Sequence, residues 1–378
     1  MKIAVLGAGM IGRTIATDLS AAFDVTSVDK SAASLEILRS QNSAVKTRQF
    51  DLSDASQYKT LLQPFDIVVT AVPGFMGYNT LKQVIDAGKN VVDISFSPED
   101  MLQLDGLAKE RNVTAIVDCG VAPGMSNFIL GRYNEEMKIE NFECYVGGLP
   151  KLRKKPFEYK APFSPVDVIE EYTRPARLKE NGQIVTKPAL GETELMDFDE
   201  IGTLEAFNTD GLRSILDTMG HIPNMKEKTL RYPGHAALII ALQRSGFFDT
   251  APVNYQGTAV SPLAFTCSVL FNEWKLAPGE EEFTIMKVIV EGLAGNKKRR
   301  ITYSLLDRND TGTQTSSMAR STGYTATAGA HLLINRLFTD KGVFPPEKVG
   351  NNDACFEYVL KHLKERNVVW KKEEQELP

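Results

Sequence analysis

The chain is poor in the residues that build disulfides and metal sites, with four cysteines and four histidines in 378 residues. Cys119, Cys144, Cys267 and Cys355 stand far apart, form no CxxC pair and match no zinc spacing with the histidines. That pattern argues against a disulfide framework or a metal centre and fits reduced thiols in a cytoplasmic protein. A basic excess is also missing: 43 Lys and Arg face 48 Asp and Glu, for a net charge of -5. Nucleic acids and anionic membranes are therefore poor candidates as partners, and a small molecule is the better one. The longest apolar candidate, AALIIAL at 236–242, closes at Gln243 and Arg244, well short of the roughly 18 residues of a membrane helix. What remains is ordinary globular composition in a chain long enough for two domains.

The opening MKIAVLGAGMIGRTIATDLS has two incompatible readings. A lysine before an apolar run resembles an export signal, but Gly7, Gly9 and Gly12 break the apolar region and the pattern turns amphipathic from Arg13 to Ser20. As strand, turn and helix the same residues are consistent. KIAVL is a buried parallel strand, Gly7 makes the tight turn, Gly9 lets the backbone approach a pyrophosphate, and Gly12 lets the helix pack close to the sheet. The first helical residues, Met10 and Ile11, then offer free N–H groups to phosphate. DVTSVDK at 24–30 is the next strand and ends on Asp29, spaced to accept hydrogen bonds from the adenosine ribose. A carboxylate there repels a 2′-phosphate and favours NAD over NADP; Lys30 and Ser31 beside it weaken that preference.

The alternation continues through VKTRQFDLSD, DIVVTAVPG, NVVDISF and TAIVDCG, which predicts about six parallel strands in a doubly wound, Rossmann-type α/β sheet over residues 1–120. Ligands gather at the carboxyl ends of such strands, so Asp51, Leu52, Ala71, Val72, Pro73 and Ser95 join the cofactor candidates. Beyond Gly120 the texture becomes α+β, with NFECYVGGLP, FTIMKVIVEG and RRITYSLLDR as strands and the last two as a hairpin across LAGNKK. Residues 121–320 thus read as a substrate and dimerisation domain, and the helical segments of 321–378 as returning to cover the first domain. Lys297–Arg300 reads as a solvated hairpin turn and the tail KKEEQELP as frayed. The poorly alternating FTIMKVIVEG has a second apolar side suited to a homodimer contact.

The segments TAVPG, VVDISF, VDCGVAPGMSN, GGLP, FSP, LEAFNTDGLRSIL, TLRYPGH, MARSTGYTAT and GVFPPE together resemble the saccharopine dehydrogenase family, and within it most the lysine 6-dehydrogenases. That resemblance implies oxidation of the lysine ε-amine to 2-aminoadipate 6-semialdehyde with NAD and release of ammonia. The alternative it leaves open is an imine reductase of the saccharopine or carboxynorspermidine type. Saccharopine-forming relatives typically carry Asp-Pro-Gly and a nearby histidine where this chain has Ala122-Pro123-Gly124 and Asn127, and an arginine where it has Thr209. Saccharopine has three carboxylates, so the loss of a cation suits a smaller amino acid.

An amine oxidation needs a base, and Asp118 and Asp93, at strand ends, are candidates for base or for cap. His235 is a candidate pocket donor or a satisfied core histidine. Cys119 is expected as a small residue beside the nicotinamide, and Gly147, Phe163 and Thr209 on the substrate side. Arg213 and Arg231 are candidates to fork onto the α-carboxylate.

Overall fold

The near-continuous apolar runs of the amino-terminal third form strands buried on both faces, as parallel strands between helical layers must be. Lys2–Leu6 and Ile67–Thr70 are buried almost throughout. The computed structural model describes residues 1–161, 165–277 and 279–378, the side chains of 165–167 excepted. Its first sheet has seven strands in the order Gly342–Phe344, Thr114–Ile116, Asn90–Asp93, Ile67–Thr70, Lys2–Leu6, Asp24–Asp29 and Lys46–Gln49. All pairs are parallel. The order reverses between Lys2–Leu6 and Ile67–Thr70, and the crevice beyond their carboxyl ends is where such sheets bind ligands.

Six of these strands are those expected from the sequence, and the seventh is not. Gly342–Phe344 lies within residues 321–378, the region expected to cover the sheet. It instead extends the edge, where Val343 N–H donates to Asp105 at 3.0 Å and Gly342, at φ 138°, sits where any Cβ would overlap that carboxylate.

The second sheet has nine strands and is mixed. Its main path runs Glu194–Phe198, Gly202–Asn208, Asn224–Arg231, Lys138–Pro150, Glu282–Ala294, Lys297–Arg308 and Lys371–Leu377, and the hairpin of Ala176–Glu180 and Gln183–Lys187 joins beside Asn224–Arg231. Glu282–Ala294 and Lys297–Arg308 form the expected hairpin. The tail is not frayed: Lys371–Leu377 pairs antiparallel with Lys297–Arg308. It is exposed on both faces, so the ladder and cross-strand ion pairs hold it, including Lys297–Glu376 at 2.9 Å and Arg299–Glu374. The basic cluster is therefore strand, and it faces acidic partners.

Two helices tie the sheets together. Ser317–Ile334, rich in small residues, is almost wholly buried, and Gly323 brings it against Thr14 and Ile15 of Met10–Ser20. Met125–Asn134 packs between the sheets within the same apolar core. Among the described residues no helix is long and apolar enough to cross a membrane.

Candidate active site

The crevice at the switch point opens into a cavity of about 710 Å³ lined by residues of both sheets. On its first wall the glycines differ in what they permit. A Cβ on Gly7, at φ 108°, would lie 2.3 Å from the Ala71 carbonyl oxygen, and one on Gly12 would lie 2.1 Å from that of Gly7. These two glycines are required by the fold itself. Gly9 has nothing within 4 Å of its Cβ position, and no side chain caps the helix that starts at Met10. The open space and free N–H groups fit a dinucleotide pyrophosphate.

Asp29 closes this wall: its carboxylate accepts from Ala8 N–H at 2.7 Å and from Ser31 N–H at 2.8 Å. It thereby ties the glycine loop to the second strand and keeps lone pairs free for a ribose. Gly7, Gly9, Met10, Ile11, Gly12, Asp29, Lys30, Asp51, Leu52, Ala71, Val72, Pro73 and Ser95 all line the same cavity.

The opposite wall is built on the strand Asn224–Arg231. Alternation turns Glu227, Thr229 and Arg231 to the cavity, and Thr229 Oγ1 meets Thr209 Oγ1 at 3.0 Å. Gly147 lies on the neighbouring strand, where a Cβ would approach the Leu230 carbonyl at 2.6 Å. Arg231 is held by a chain of hydrogen bonds. Its Nε donates to the Tyr172 hydroxyl at 3.1 Å, which bonds His235 Nε2 at 2.9 Å, while His235 Nδ1 meets the Phe157 carbonyl at 2.9 Å. A carbonyl only accepts, so Nδ1 carries the proton and Nε2 accepts from Tyr172. Burial, then the Arg231 charge, push His235 down to about 3 and keep it neutral.

Asp118 reaches the cavity from the first sheet, in a left-handed backbone conformation at φ 51°. Its Oδ2 accepts from Arg213 Nε at 3.3 Å, and Arg213 Nη2 donates to the Ser97 carbonyl at 2.6 Å. The guanidinium also lies 4.5 Å from the centre of the Phe96 ring.

Several candidates from the sequence sit elsewhere. Arg213 does not line the cavity and spends its donors on Asp118 and Ser97. His235 is buried behind Arg231 and belongs to its support, not to the cavity wall. Asp93 is fully buried, where it accepts from the Ser95 N–H and hydroxyl and from Thr70. Desolvation, with a smaller contribution from Asp118, raises it to about 7. Cys119 points away into the helix Ser317–Ile334, with Sγ 3.7 Å from the Thr325 carbonyl and close against Gly329. Burial pushes its thiol far up, and it is packing. Phe163 lies outside the described residues.

Phe96 lines the cavity beside Ser95, as expected of the segment after its strand, whereas Glu170, Glu171, Arg174, Asp210, Glu227 and Lys275, all on the cavity wall, were missed by the sequence reading. The usable signal was the alternation in NMKEKTLR, which puts Glu227 and Arg231 on one face.

Two family models match the chain: the saccharopine dehydrogenase NADP binding domain over residues 3–116 and the saccharopine dehydrogenase C-terminal domain over residues 120–369. The chain belongs to the saccharopine dehydrogenase family. Alpha-aminoadipic semialdehyde synthase of Arabidopsis thaliana is 24% identical over 263 residues, 64% of this chain and 25% of that protein. Saccharopine dehydrogenase (NADP+, L-glutamate-forming) of Pyricularia oryzae is 26% identical over 211 residues, 53% of this chain and 47% of that protein. The chain thus spans from a quarter to under half the length of these members of the family. The structure of the L-Glu-forming saccharopine dehydrogenase of Saccharomyces cerevisiae superposes with a TM-score of 0.80 at 18% identity, covering 99% of both chains. This family fold is therefore shared along the whole chain, an α/β dinucleotide sheet joined to a mixed sheet.

Proposed function

We propose that this chain is a cytoplasmic, NAD-dependent dehydrogenase that oxidises the ε-amine of L-lysine to 2-aminoadipate 6-semialdehyde and releases ammonia. The observation that carries the reading is the charge of the substrate wall. Asp118, Glu170, Glu171, Asp210 and Glu227 border it with Arg174, Arg231 and Lys275; the first four acids pair with Arg213, Arg174, Arg231 and Arg177, which leaves Glu227 as the wall carboxyl without a cation of its own among the described residues. An acid-rich wall with one deeply buried guanidinium suits a substrate with two amines and one carboxylate better than one with three carboxylates. Arg231, held by Tyr172 and His235, pairs with Glu171 at a long 3.4 Å and is the wall guanidinium to receive the α-carboxylate in exchange for that contact, with Thr209 and Thr229 bordering it as neutral donors.

The dinucleotide, when bound, supplies an acceptor for hydride. The substrate loses one proton from nitrogen and one hydride from Cε, and the nitrogen lone pair forms the C=N bond of an iminium. Water adds to that carbon, and the C–N bond then breaks to leave the aldehyde and ammonia. A protonated nitrogen has no lone pair to give, so the chain must remove that proton first. Asp29 supports NAD, although the matching family model and the Pyricularia protein carry NADP in their names. The same reading includes a homodimer through the second sheet: Met196, Phe198, Ile289 and Leu306 form a half-buried apolar strip apart from the main core, and light scattering at micromolar concentration should give twice the chain mass. A substrate series tests the chemistry. L-Lysine should be oxidised with NAD, and 6-aminohexanoate, which lacks the α-amine, should be a poorer substrate. Equal turnover of the two would remove the acid-rich wall as the basis of recognition.

A further inference from the structure

An acidic side chain that faces a ligand cavity, is almost wholly buried and has no partner of its own needs a reason to be there. Burial of an unpaired carboxylate is costly, and such costs are kept where a ligand repays them. Glu227 meets all three conditions. It is 6% exposed and lines the cavity. Among the described residues no side chain donates a hydrogen bond to it and no cation lies within ion-pair distance of it, whereas Asp118 has Arg213.

Its surroundings hold it in place without neutralising it. Gly211 packs directly on the carboxylate, such that a Cβ at that position would fall within 2.0 Å of all three carboxylate atoms. From the strand Lys138–Pro150 the register neighbour is Cys144, a buried thiol that contributes no charge. The charged groups facing Glu227 are Glu171 from the helix Pro165–Thr173, Asp210 from the turn that carries Gly211, and the more favourable Arg213. Asp210 is already bound to Arg177 at 2.9 and 3.0 Å, and Asp118 to Arg213. Lys226 and Lys228, on the other face of the same strand, pair with Glu194.

We propose that Glu227 receives the proton of the substrate's reacting ammonium and is the base of the amine oxidation, with Asp118 paired to Arg213 as a positioning residue. This rests on the reading of the chain as an amine dehydrogenase. The step is a transfer from nitrogen to a Glu227 oxygen: one N–H bond breaks, one O–H bond forms, and a buried ion pair becomes two neutral groups. Low dielectric favours that product. Desolvation, with Glu171 and Asp210 adding to it, raises the free carboxyl from 4.5 to about 8, which matches a base working near neutral pH.

The proton is countable without turnover. Before lysine arrives, the carboxyl of Glu227 is largely protonated at pH 7; after binding, one proton is shared between it and the amine. Calorimetry of L-lysine binding to the NADH-saturated protein, in buffers of different ionisation heat, should therefore show release of nearly one proton at pH 7, falling towards none by about pH 9.5. Glu227→Gln should abolish that pH-dependent release. In turnover it should lower kcat by about 100-fold or more and remove the ascending limb of the pH–rate profile. Glu227→Asp should restore part of both, and Gly211→Ala, which displaces the carboxylate, should lower kcat with folding retained. A wild-type protein that neither binds nor oxidises lysine overturns the functional reading and this proposal with it. A wild-type protein that oxidises lysine, with Glu227→Gln keeping kcat and proton release within about threefold, overturns this proposal alone.

Discussion

Glu227→Gln has a consequence for stability that needs no substrate. In the unfolded chain this carboxyl titrates at its ordinary 4.5, whereas in the fold burial raises it to about 8. Between those values the folded state binds more protons than the unfolded one, so stability falls as pH rises through that window and levels off above it. Each pH unit of the window is worth about 1.4 kcal/mol, and the full penalty is on the order of 5 kcal/mol. Glutamine has nearly the same shape and does not titrate. Its packing against Gly211 adds a constant offset but no slope. Asp93 and Glu282, also raised to about 7, contribute equally to both proteins and cancel in the difference. Tm measured by calorimetry at several pH values from 5 to 9 should therefore show the variant gaining on the wild type, by on the order of 5 °C across the range. Parallel curves, with the same Tm difference at pH 5 and pH 9, would show that Glu227 is not desolvated as the structure requires.

Gly9→Val should fold normally and lose NAD binding, because its side chain enters open space that the pyrophosphate needs. Gly12→Ala should be destabilised by at least about 1–3 kcal/mol, because its Cβ meets the Gly7 carbonyl at 2.1 Å; thermal melts with and without NAD separate the two outcomes. Asp29→Ala should weaken NAD more than NADP and also lower Tm, since the carboxylate holds Ala8 and Ser31 N–H groups. Equal loss for both cofactors in a binding titration would remove its proposed role at the ribose. Asp118→Asn should release Arg213 and raise KM, with the ascending pH limb intact; disappearance of that limb would return the role of base to Asp118.

The two halves of the cavity were unequally legible in the sequence, for physical reasons. The dinucleotide wall is local: three glycines within six residues meet steric demands set by their immediate neighbours, and its strands are buried on both faces. Asp29 was legible from spacing, but its second task of pinning the glycine loop was not. The substrate wall is assembled from a helix, a turn and a strand separated by about sixty residues, and its acids look in sequence like any solvated face. Glu227 sits in NMKEKTLR between lysines that point the other way. His235 and Cys119 are chemically versatile residues that the fold uses for support and packing. The carboxy-terminal strand carries no apolar pattern because neither of its faces is buried; complementary charge on Lys297–Arg308 is what gives it a place.

Oxidation of an amine to an aldehyde has a stoichiometry that no imine-forming condensation shares. Purified protein with L-lysine and NAD should produce absorbance at 340 nm, with one ammonia and one aldehyde for each NADH and no need for an oxo acid. Absence of NADH under these conditions, together with oxidation of NADPH when an amine and an oxo acid are supplied, would contradict the account and make the chain an imine reductase.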